Sequence, residues 1–304
     1  MRYTNERKEF VGMTPLRKQM IEELQLRNLS ETTIHTYVHA VERYAKHFNT
    51  SPAKLGPEQV REYLLYLLND HHVSSSTIQV NRGALKFLYV KTLKQRWFDD
   101  EIPYPKKQVR LPDVIRADDV ARILDRTSNL KHWTIIATLY ATALRVHECS
   151  LLQITDIDHR DMIIRVRHGK GRVPRNIPLS EALQKRLAIY CQRYRPTTWL
   201  FPSSIRAGRP LDDHTIRHAC RNAGKRAGIQ QPVHPHLFRH ACATHMLEAG
   251  ADLRTIQHLL GHADIRTTAR YLHVSMRLIQ AIRSPFDALT LQPIDLSKEG
   301  EEGE

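Results

Sequence analysis

The chain has 304 residues, of which 41% are apolar and 26% are charged; this balance excludes a disordered chain and predicts one large or two ordinary globular domains. Its net charge of +14 favours a polyanionic partner, either nucleic acid or an anionic membrane surface. Because no apolar run is long enough to span a bilayer and the N-terminus lacks the apolar stretch of a signal peptide, we expect a cytoplasmic protein.

The first part of the chain predicts a small bundle of four helices. After a flexible N-terminus over residues 1–13, the helical domain is expected to occupy residues 14–100. Serine, threonine or glycine precedes each apolar stripe of helical spacing, and these residues are common helix N-caps. The four expected starts are Thr14-Pro15, Ser30, Gly56-Pro57 and Ser74. The stripes are interpreted as core rather than as a ligand site.

A change in composition marks a linker over residues 101–113. Pro103, Pro105 and Pro112 interrupt any helix, and three basic residues lie between them. We therefore place a domain boundary here. A basic linker can follow a phosphate backbone, although a solvated connector fits the same composition equally well.

The second domain, over residues 114–290, is predicted to be mainly α with a small antiparallel β-sheet. A short helix is expected over 117–124 and an apolar, buried one over 133–144. Alternating residues predict a strand over 162–166 and a return strand over 175–179. Residues from Asp212 onward are expected to be helical, with Asp212 as an N-cap, and residues 291–304 form an acidic tail.

Two basic residues in this domain suggest an anion site. Arg145 follows the apolar helix, where a guanidinium needs an anionic partner. The alternative is an internal ion pair with Glu148, three positions later. Lys170 lies between Gly169 and Gly171 at the expected hairpin tip, where glycine lets the backbone approach a ligand. Taken alone, each residue is better explained by an ordinary role, an internal ion pair for Arg145 and a solubilising surface group for Lys170.

A histidine–arginine pair gives a stronger signal. On a helix, His236 and Arg239 share one face, which combines a proton-transfer group with a phosphate-binding fork. His236 and His240 have the spacing of zinc ligands, but the glutamate of the zinc-protease pattern is missing, and the four cysteines of the chain are scattered. Further along, Gly261 is expected to end a helix and present His262.

Taken together and in chain order, these motifs resemble the tyrosine recombinase (phage integrase) family. The resemblance covers about Thr14 to Leu289 and is closest to the Xer-like and integron-integrase-like members. Two departures are Ala143, where the family commonly has glycine, and Cys149, where a larger aliphatic residue is frequent. The matching residues are Leu144-Arg145-Val146-His147-Glu148, Gly169-Lys170-Gly171, His236-Leu237-Phe238-Arg239-His240, Leu260-Gly261-His262 and Tyr271.

The resemblance implies a helical, SAM-like core-binding domain followed by a catalytic domain that cleaves and rejoins DNA through a 3′-phosphotyrosyl intermediate. Tyr271 is then the nucleophile. Lys170 protonates the departing 5′ oxygen, and His236 accepts the proton of Tyr271 or positions the phosphate. Glu148 orients the first arginine. The groups that receive the phosphate charge are Arg145, Arg239 and His262.

The resemblance also implies partners: double-stranded DNA recombination sites and a homotetramer in the synaptic complex, with no metal and no cofactor. The segment after Tyr271, from Leu278 to Leu289, suits packing on a neighbouring protomer, and equally a helix folded back on its own domain. Three other functions compete: a type IB topoisomerase-like enzyme, a DNA-binding regulator without cleavage, and a zinc hydrolase. The DNA target and the direction of the reaction do not follow from the sequence.

Overall fold

The computed structural model describes residues 14–97, 102, 114–167 and 174–272. The pattern of contacts divides the chain into two compact units, Met1–Arg110 and Leu111–Glu304. The division falls within the stretch 101–113 that the sequence predicts as a linker. Among the helices described, none is both long enough and apolar enough to cross a lipid bilayer.

The first unit is a helical bundle whose helix starts are set by side-chain caps. The Thr14 hydroxyl accepts a hydrogen bond from the backbone N–H of Arg17, and Ser30 and Ser74 cap their helices in the same way. A π-helical turn, Leu88–Thr92, continues the fourth helix. The elements are α1 (Pro15–Leu26), α2 (Glu31–Phe48), a 3-10 turn (Pro52–Lys54), α3 (Pro57–Asn69) and α4 (Ser75–Phe87).

Buried tyrosines occupy the centre of this bundle. The hydroxyls of Tyr44 and Tyr89 lie 3.2 Å apart, and the Tyr89 hydroxyl also lies 3.0 Å from the carbonyl oxygen of Leu55. Tyr63 packs edge-on against Tyr44. Burial raises the pKa of Tyr89, so the phenol stays neutral and its polar end is satisfied by hydrogen bonds inside the core.

The second unit carries eight helices and one small sheet within the described residues. The three strands pair antiparallel in the order β1-β2-β3, with Ile163 opposite Pro178 and Val166 opposite Arg175. The elements are α5 (Ala117–Asp125), α6 (Leu130–Thr142), α7 (Val146–Ser150), β1 (Ile157–Asp158), β2 (Ile163–Val166), β3 (Arg175–Pro178), α8 (Glu181–Tyr194), α9 (Asp213–Arg226), α10 (Pro235–Glu248), α11 (Leu253–Leu260) and α12 (Ile265–Ala269).

Helix α6 is the buried centre of the second unit, as its apolar composition predicts. Ile135, Ile136 and Leu139 are fully buried, and the helix packs against α8, α9 and α10. Its bounds differ from the expected 133–144. The helix begins earlier because the Asn129 side chain caps the backbone N–H of His132, and it ends at Thr142 because the next residue leaves the helical conformation.

The sheet confirms the predicted mainly α fold with a small antiparallel β-sheet. Strands β2 and β3 lie within the two expected segments, whereas β1 is only two residues long and does not follow from the sequence pattern. Asp212 caps α9 by accepting a hydrogen bond from Thr215. The predicted hairpin tip with Lys170, most of the linker, and the segment and tail after residue 272 lie outside the described residues.

Candidate active site

The site begins where α6 ends. Ala143 adopts a left-handed conformation, with φ at 51°, and turns the chain so that Arg145 becomes the N-cap of α7. The backbone N–H of Arg145 donates to Glu148 Oε2 at 2.9 Å, and its side-chain Nη1 donates to Oε1 of the same carboxylate at 3.0 Å. The turn after α6 therefore fixes both the backbone and the side chain of Arg145.

Replacing Ala143 by glycine is expected to stabilise the second unit. A non-glycine residue in the left-handed region is strained by about 1–2 kcal/mol, and glycine removes this strain. Part of the gain in stability is offset because glycine has a larger conformational entropy in the unfolded chain. We expect the thermal midpoint of the Ala143→Gly variant to rise by about 1–3 °C. Calorimetry of this variant beside Ala137→Gly, in the middle of α6, checks it. An equal fall in both midpoints would mean that the conformation at Ala143 carries no strain.

A buried ion pair lies behind Arg145. Arg175, the first residue of β3, donates from Nη1 to Glu148 Oε1 at 3.1 Å and from Nη2 to Oε2 at 2.8 Å. Burial by itself raises the pKa of Glu148, but hydrogen bonds from Arg175 and Arg145 outweigh this and hold that pKa at about 2. Glu148 is therefore a carboxylate that two arginines share. Sequence reasoning placed Glu148 beside Arg145 and missed Arg175.

The C-terminal end of α11 forms the opposite wall. Gly261 ends this helix in a left-handed conformation, with φ at 59°, as the sequence predicts. The carbonyl oxygens exposed by the helix end accept hydrogen bonds from three arginines. Arg175 Nε donates to Leu259 (2.7 Å), Arg145 Nη1 and Nη2 to Leu260 (3.1 Å) and Gly261 (3.3 Å), and Arg239 Nη2 to Leu260 (2.6 Å). The partial negative charge of a helix C-terminus favours such cations.

Arg239 links this wall to the end of α6. Its Nη1 donates to the carbonyl oxygen of Ala143 at 2.6 Å, and its Nη2 lies 3.1 Å from His262 Nε2. The other ring nitrogen of His262, Nδ1, is 2.9 Å from the hydroxyl of Thr268 in α12. Burial, followed by the charge of Arg145, lowers the pKa of Arg239 to about 9, so the guanidinium remains charged at neutral pH.

Tyr271 lies just beyond α12 and is almost completely buried, with 1% of its surface exposed. Its hydroxyl is 2.8 Å from Nδ1 of His240, one helical turn beyond His236 on α10. The two histidine rings stack with centroids 6.4 Å apart. Burial raises the pKa of Tyr271, while the charges of Arg239 and Arg270 act in the opposite direction. The direct partner of the phenol is thus His240, which the sequence did not single out, and the role of His236 in accepting the Tyr271 proton or positioning the phosphate stays a prediction.

The arrangement concentrates positive charge. Two guanidinium groups, those of Arg145 and Arg175, bond one carboxylate, Glu148, and a third, that of Arg239, shares the Leu260 carbonyl with Arg145. Both Arg145 and Arg239 have forked donors that match the oxygens of a phosphate. With a neutral histidine and a phenol beside them, the groups can bind a phosphodiester and supply a nucleophile. No group of three histidine, cysteine, aspartate or glutamate side chains within the described ranges is placed to hold a metal ion.

Two half-buried histidines, His240 and His262, should make the second unit sensitive to acid. Burial and the charge of Arg270 lower the pKa of His240 from 6.5 to about 4, and burial with Arg239 does the same for His262. Between pH 6.5 and about 4 the two histidines are protonated in the unfolded chain but stay neutral in the folded chain. The free energy of unfolding therefore decreases as the pH falls through this range. Above pH 6.5 both states are neutral and this contribution is constant.

The expected result is a thermal midpoint that decreases with falling pH through this window, with a shallower slope in the His240→Gln variant. Glu148 adds to the loss only below its ordinary pKa of 4.5, as the pH approaches about 2. Thermal unfolding at a series of pH values measures the slopes. His218→Gln, on the exposed face of α9, is the matched control. A slope that is the same in His240→Gln and in the wild type would contradict the assignment.

Four of the residues predicted from the sequence lie close together in the described part of the structure. Arg145, Arg239 and His262 meet at the end of α11, and Tyr271 follows α12 beside them. His236 lies on the same helix as Arg239. Burial, followed by the Arg239 charge, lowers the pKa of His236. Lys170 lies outside the described residues.

Comparison with known proteins identifies the family to which the chain belongs. Residues 113–277 match the phage integrase family, and residues 16–99 match the N-terminal SAM-like domain of phage integrases. The Sinorhizobium fredii protein y4qK, named as a putative integrase/recombinase, is 42% identical over 282 residues, which cover 92% of this chain and 91% of y4qK. The tyrosine recombinase XerD of Yersinia pestis is 31% identical over 290 residues, covering 88% and 95%.

A solved structure agrees with these relatives in fold. The XerH site-specific recombinase, bound to a palindromic difH substrate in a post-cleavage complex, superposes with a TM-score of 0.68 at 20% identity, covering 87% of this chain and 83% of XerH. At that identity the likeness concerns the fold alone. The two family matches and the two relatives span both units of the chain. This chain therefore belongs to the phage integrase family and is a tyrosine-type site-specific DNA recombinase.

Proposed function

We propose that Tyr271 attacks a phosphodiester of the recombination-site DNA. The products are a 3′-phosphotyrosyl enzyme and a free 5′ hydroxyl, which then attacks the partner strand. One phosphoester replaces another, so the bond energy is conserved without an external energy source. The observation that carries the proposal is a buried tyrosine hydroxyl that contacts His240 and feels the positive charges of Arg239 and Arg145, two guanidiniums that share the Leu260 carbonyl.

Arg145, Arg239 and His262 are proposed to bind the reacting phosphate. Attack on phosphorus builds negative charge on the non-bridging oxygens, and preorganised cationic donors stabilise it. Both guanidiniums are already held in place by the carbonyl of Leu260, and His262 is oriented by Thr268. His262 Nε2 accepts from Arg239 Nη2, which can only donate, so the ring must give up this contact before it donates to a phosphate. Since these contacts fix the two guanidiniums before DNA arrives, the arginines need little reorganisation when the phosphate binds.

Proton transfer is assigned to two residues, His240 and Lys170. Only about one part in a thousand of an unperturbed tyrosine is phenolate at pH 7, and burial raises the pKa of Tyr271 further. A base must therefore assist. His240 contacts the hydroxyl directly, whereas His236 is proposed to position the phosphate. Lys170 is proposed as the acid that protonates the 5′ oxygen, a role that rests on the sequence motif.

Recombination sites in double-stranded DNA are the proposed substrate. The net charge of +14 suits a polyanion, because phosphate contacts supply salt-dependent affinity. The DNA-bound complex of XerH supports the same partner for this chain. A homotetramer on two DNA sites and a cytoplasmic location remain predictions from the sequence.

An adduct-capture experiment tests the proposal and identifies the target sequence at the same time. The purified chain is incubated with a library of nicked duplexes with randomised arms, and covalent complexes are isolated under denaturing conditions and sequenced. We expect adducts enriched in one sequence, with the DNA attached to the peptide that contains Tyr271 in mass spectra. Adducts on another residue, or none on any duplex while binding persists, would overturn the proposal.

A further inference from the structure

Arg175 is a buried charged group of the site that lies behind Arg145. Its side chain is 4% exposed, and each of its three nitrogens donates a hydrogen bond within the protein: Nε to Leu259, and Nη1 and Nη2 to Glu148. A guanidinium that is enclosed and bonded in this way is directed at the protein rather than at a bound phosphate. Its function must be exerted through the groups that it holds.

Those groups lead directly to Arg145. Each oxygen of Glu148 accepts one hydrogen bond from Arg175 and one from Arg145, so two arginines use both oxygens of a single carboxylate. The bidentate contact from Arg175 fixes the plane of the carboxylate. Once that plane is set, Oε1 and Oε2 fix the direction of the Arg145 side chain and the position of its backbone N–H.

We propose that Arg175 is a positioning residue for strand cleavage, which sets the orientation of Arg145 through Glu148. The inference rests on the proposed phosphate-binding function of Arg145. A lysine at position 175 keeps the charge but cannot form the fork, so the carboxylate can rotate and Arg145 loses its fixed geometry. A small misplacement of a group that contacts the reacting atoms can cost about a hundredfold in rate.

Gly261 is a second position that approaches Arg175, and its own carbonyl oxygen also accepts a hydrogen bond from Arg145. A Cβ atom at this position would lie 3.2 Å from Arg175 Nη1 and 3.3 Å from its Cδ and Cζ, and the backbone has φ at +59°. The glycine of the leucine–glycine–histidine motif is therefore required both by the helix end and by the approach of Arg175. Gly261→Ala displaces Arg175 without removing its charge.

The test uses the full chain and the duplex selected by adduct capture. Single-turnover cleavage at saturating duplex is measured for wild type, Arg175→Lys, Arg145→Ala and the double variant, with duplex affinity and thermal midpoint for each. We expect Arg175→Lys to cleave about a hundredfold more slowly with unchanged duplex Kd. In the Arg145→Ala background the same change should cause no further loss, because the group it positions is absent.

Two outcomes overturn the proposal. An unchanged cleavage rate in Arg175→Lys would show that Arg145 is held without it, and losses that multiply in the double variant would show an effect that bypasses Arg145. A purely structural role would lower the thermal midpoint and leave the rate at saturating duplex intact. Arg165→Lys is the control for the substitution itself, since Arg165, on the neighbouring strand β2, pairs with Asp158 but is exposed. If Arg175→Lys fails to fold, Gly261→Ala replaces it in the same cycle.

A measurement without covalent chemistry separates this proposal from the strand-transfer function. Binding of inorganic phosphate is followed by calorimetry for the same four proteins. We expect weaker phosphate affinity in Arg175→Lys than in wild type, and no difference between Arg145→Ala and the double variant. If the wild type forms no adduct but this pattern holds, the strand-transfer proposal fails and the positioning role of Arg175 stands. If Arg175→Lys binds phosphate as tightly as the wild type and the wild type forms the adduct normally, the positioning role of Arg175 fails and the strand-transfer proposal stands.

Discussion

Replacing Tyr271 by phenylalanine is expected to abolish the covalent DNA adduct while leaving duplex binding intact. The substitution removes one oxygen atom, and that oxygen is the proposed nucleophile. The ring belongs to a buried apolar cluster that includes Ala143, Cys242 and Leu260, and a phenylalanine ring suits the same cluster. Incubation with a nicked duplex, a denaturing gel for the adduct and a titration for binding measure the two effects separately.

The same domain offers a matched control. Tyr140 also places its hydroxyl against a histidine of α10, at 2.9 Å from His245 Nδ1. Tyr140→Phe therefore removes a tyrosine–histidine hydrogen bond of the same kind as the contact between Tyr271 and His240. We expect Tyr140→Phe to retain adduct formation, with only a small fall in thermal midpoint. An adduct that persists in Tyr271→Phe, or disappears equally in both variants, would contradict the role of Tyr271.

The groups that could be predicted from the sequence are those whose signal is local. Arg145 stands at the end of an apolar helix, Gly261 at a helix terminus before His262, and Arg239 one turn from His236. Each pattern is weak alone, and their order along the chain gives the family. Helices with a cap and an apolar stripe, such as α2, can be predicted for the same reason.

Arg175 could not be found in this way. Its partners Glu148 and Leu259 are 27 and 84 residues away, so only the folded chain brings them together. The contact between His240 and Tyr271 likewise joins residues 31 apart. Helix α7 escapes prediction for a different reason, since its N-cap is Arg145, a residue type that does not signal a helix start.

The second large effect is expected at Arg239, where lysine should slow cleavage by about a hundred- to a thousandfold at saturating duplex. The guanidinium spans three groups, the carbonyls of Ala143 and Leu260 and the ring of His262. A lysine ammonium keeps the positive charge but is a single point donor, so it cannot hold these contacts and also present a fork to a phosphate. Single-turnover cleavage of the selected duplex measures the loss.

Because Arg239 is buried, its replacement also destabilises the domain. The control must therefore be another buried arginine whose replacement causes a similar loss of stability. Arg82 in the first unit is buried and donates from Nε and Nη2 to the carbonyl oxygen of Ile102, at 3.0 and 2.8 Å. We expect Arg82→Lys and Arg239→Lys to lower the thermal midpoint, and only Arg239→Lys to lower the cleavage rate once the duplex is saturating. Equal rate losses would mean that Arg239 acts through stability alone. A specific loss would show that its fork acts on the reacting phosphate, since charge and burial are matched between the two variants.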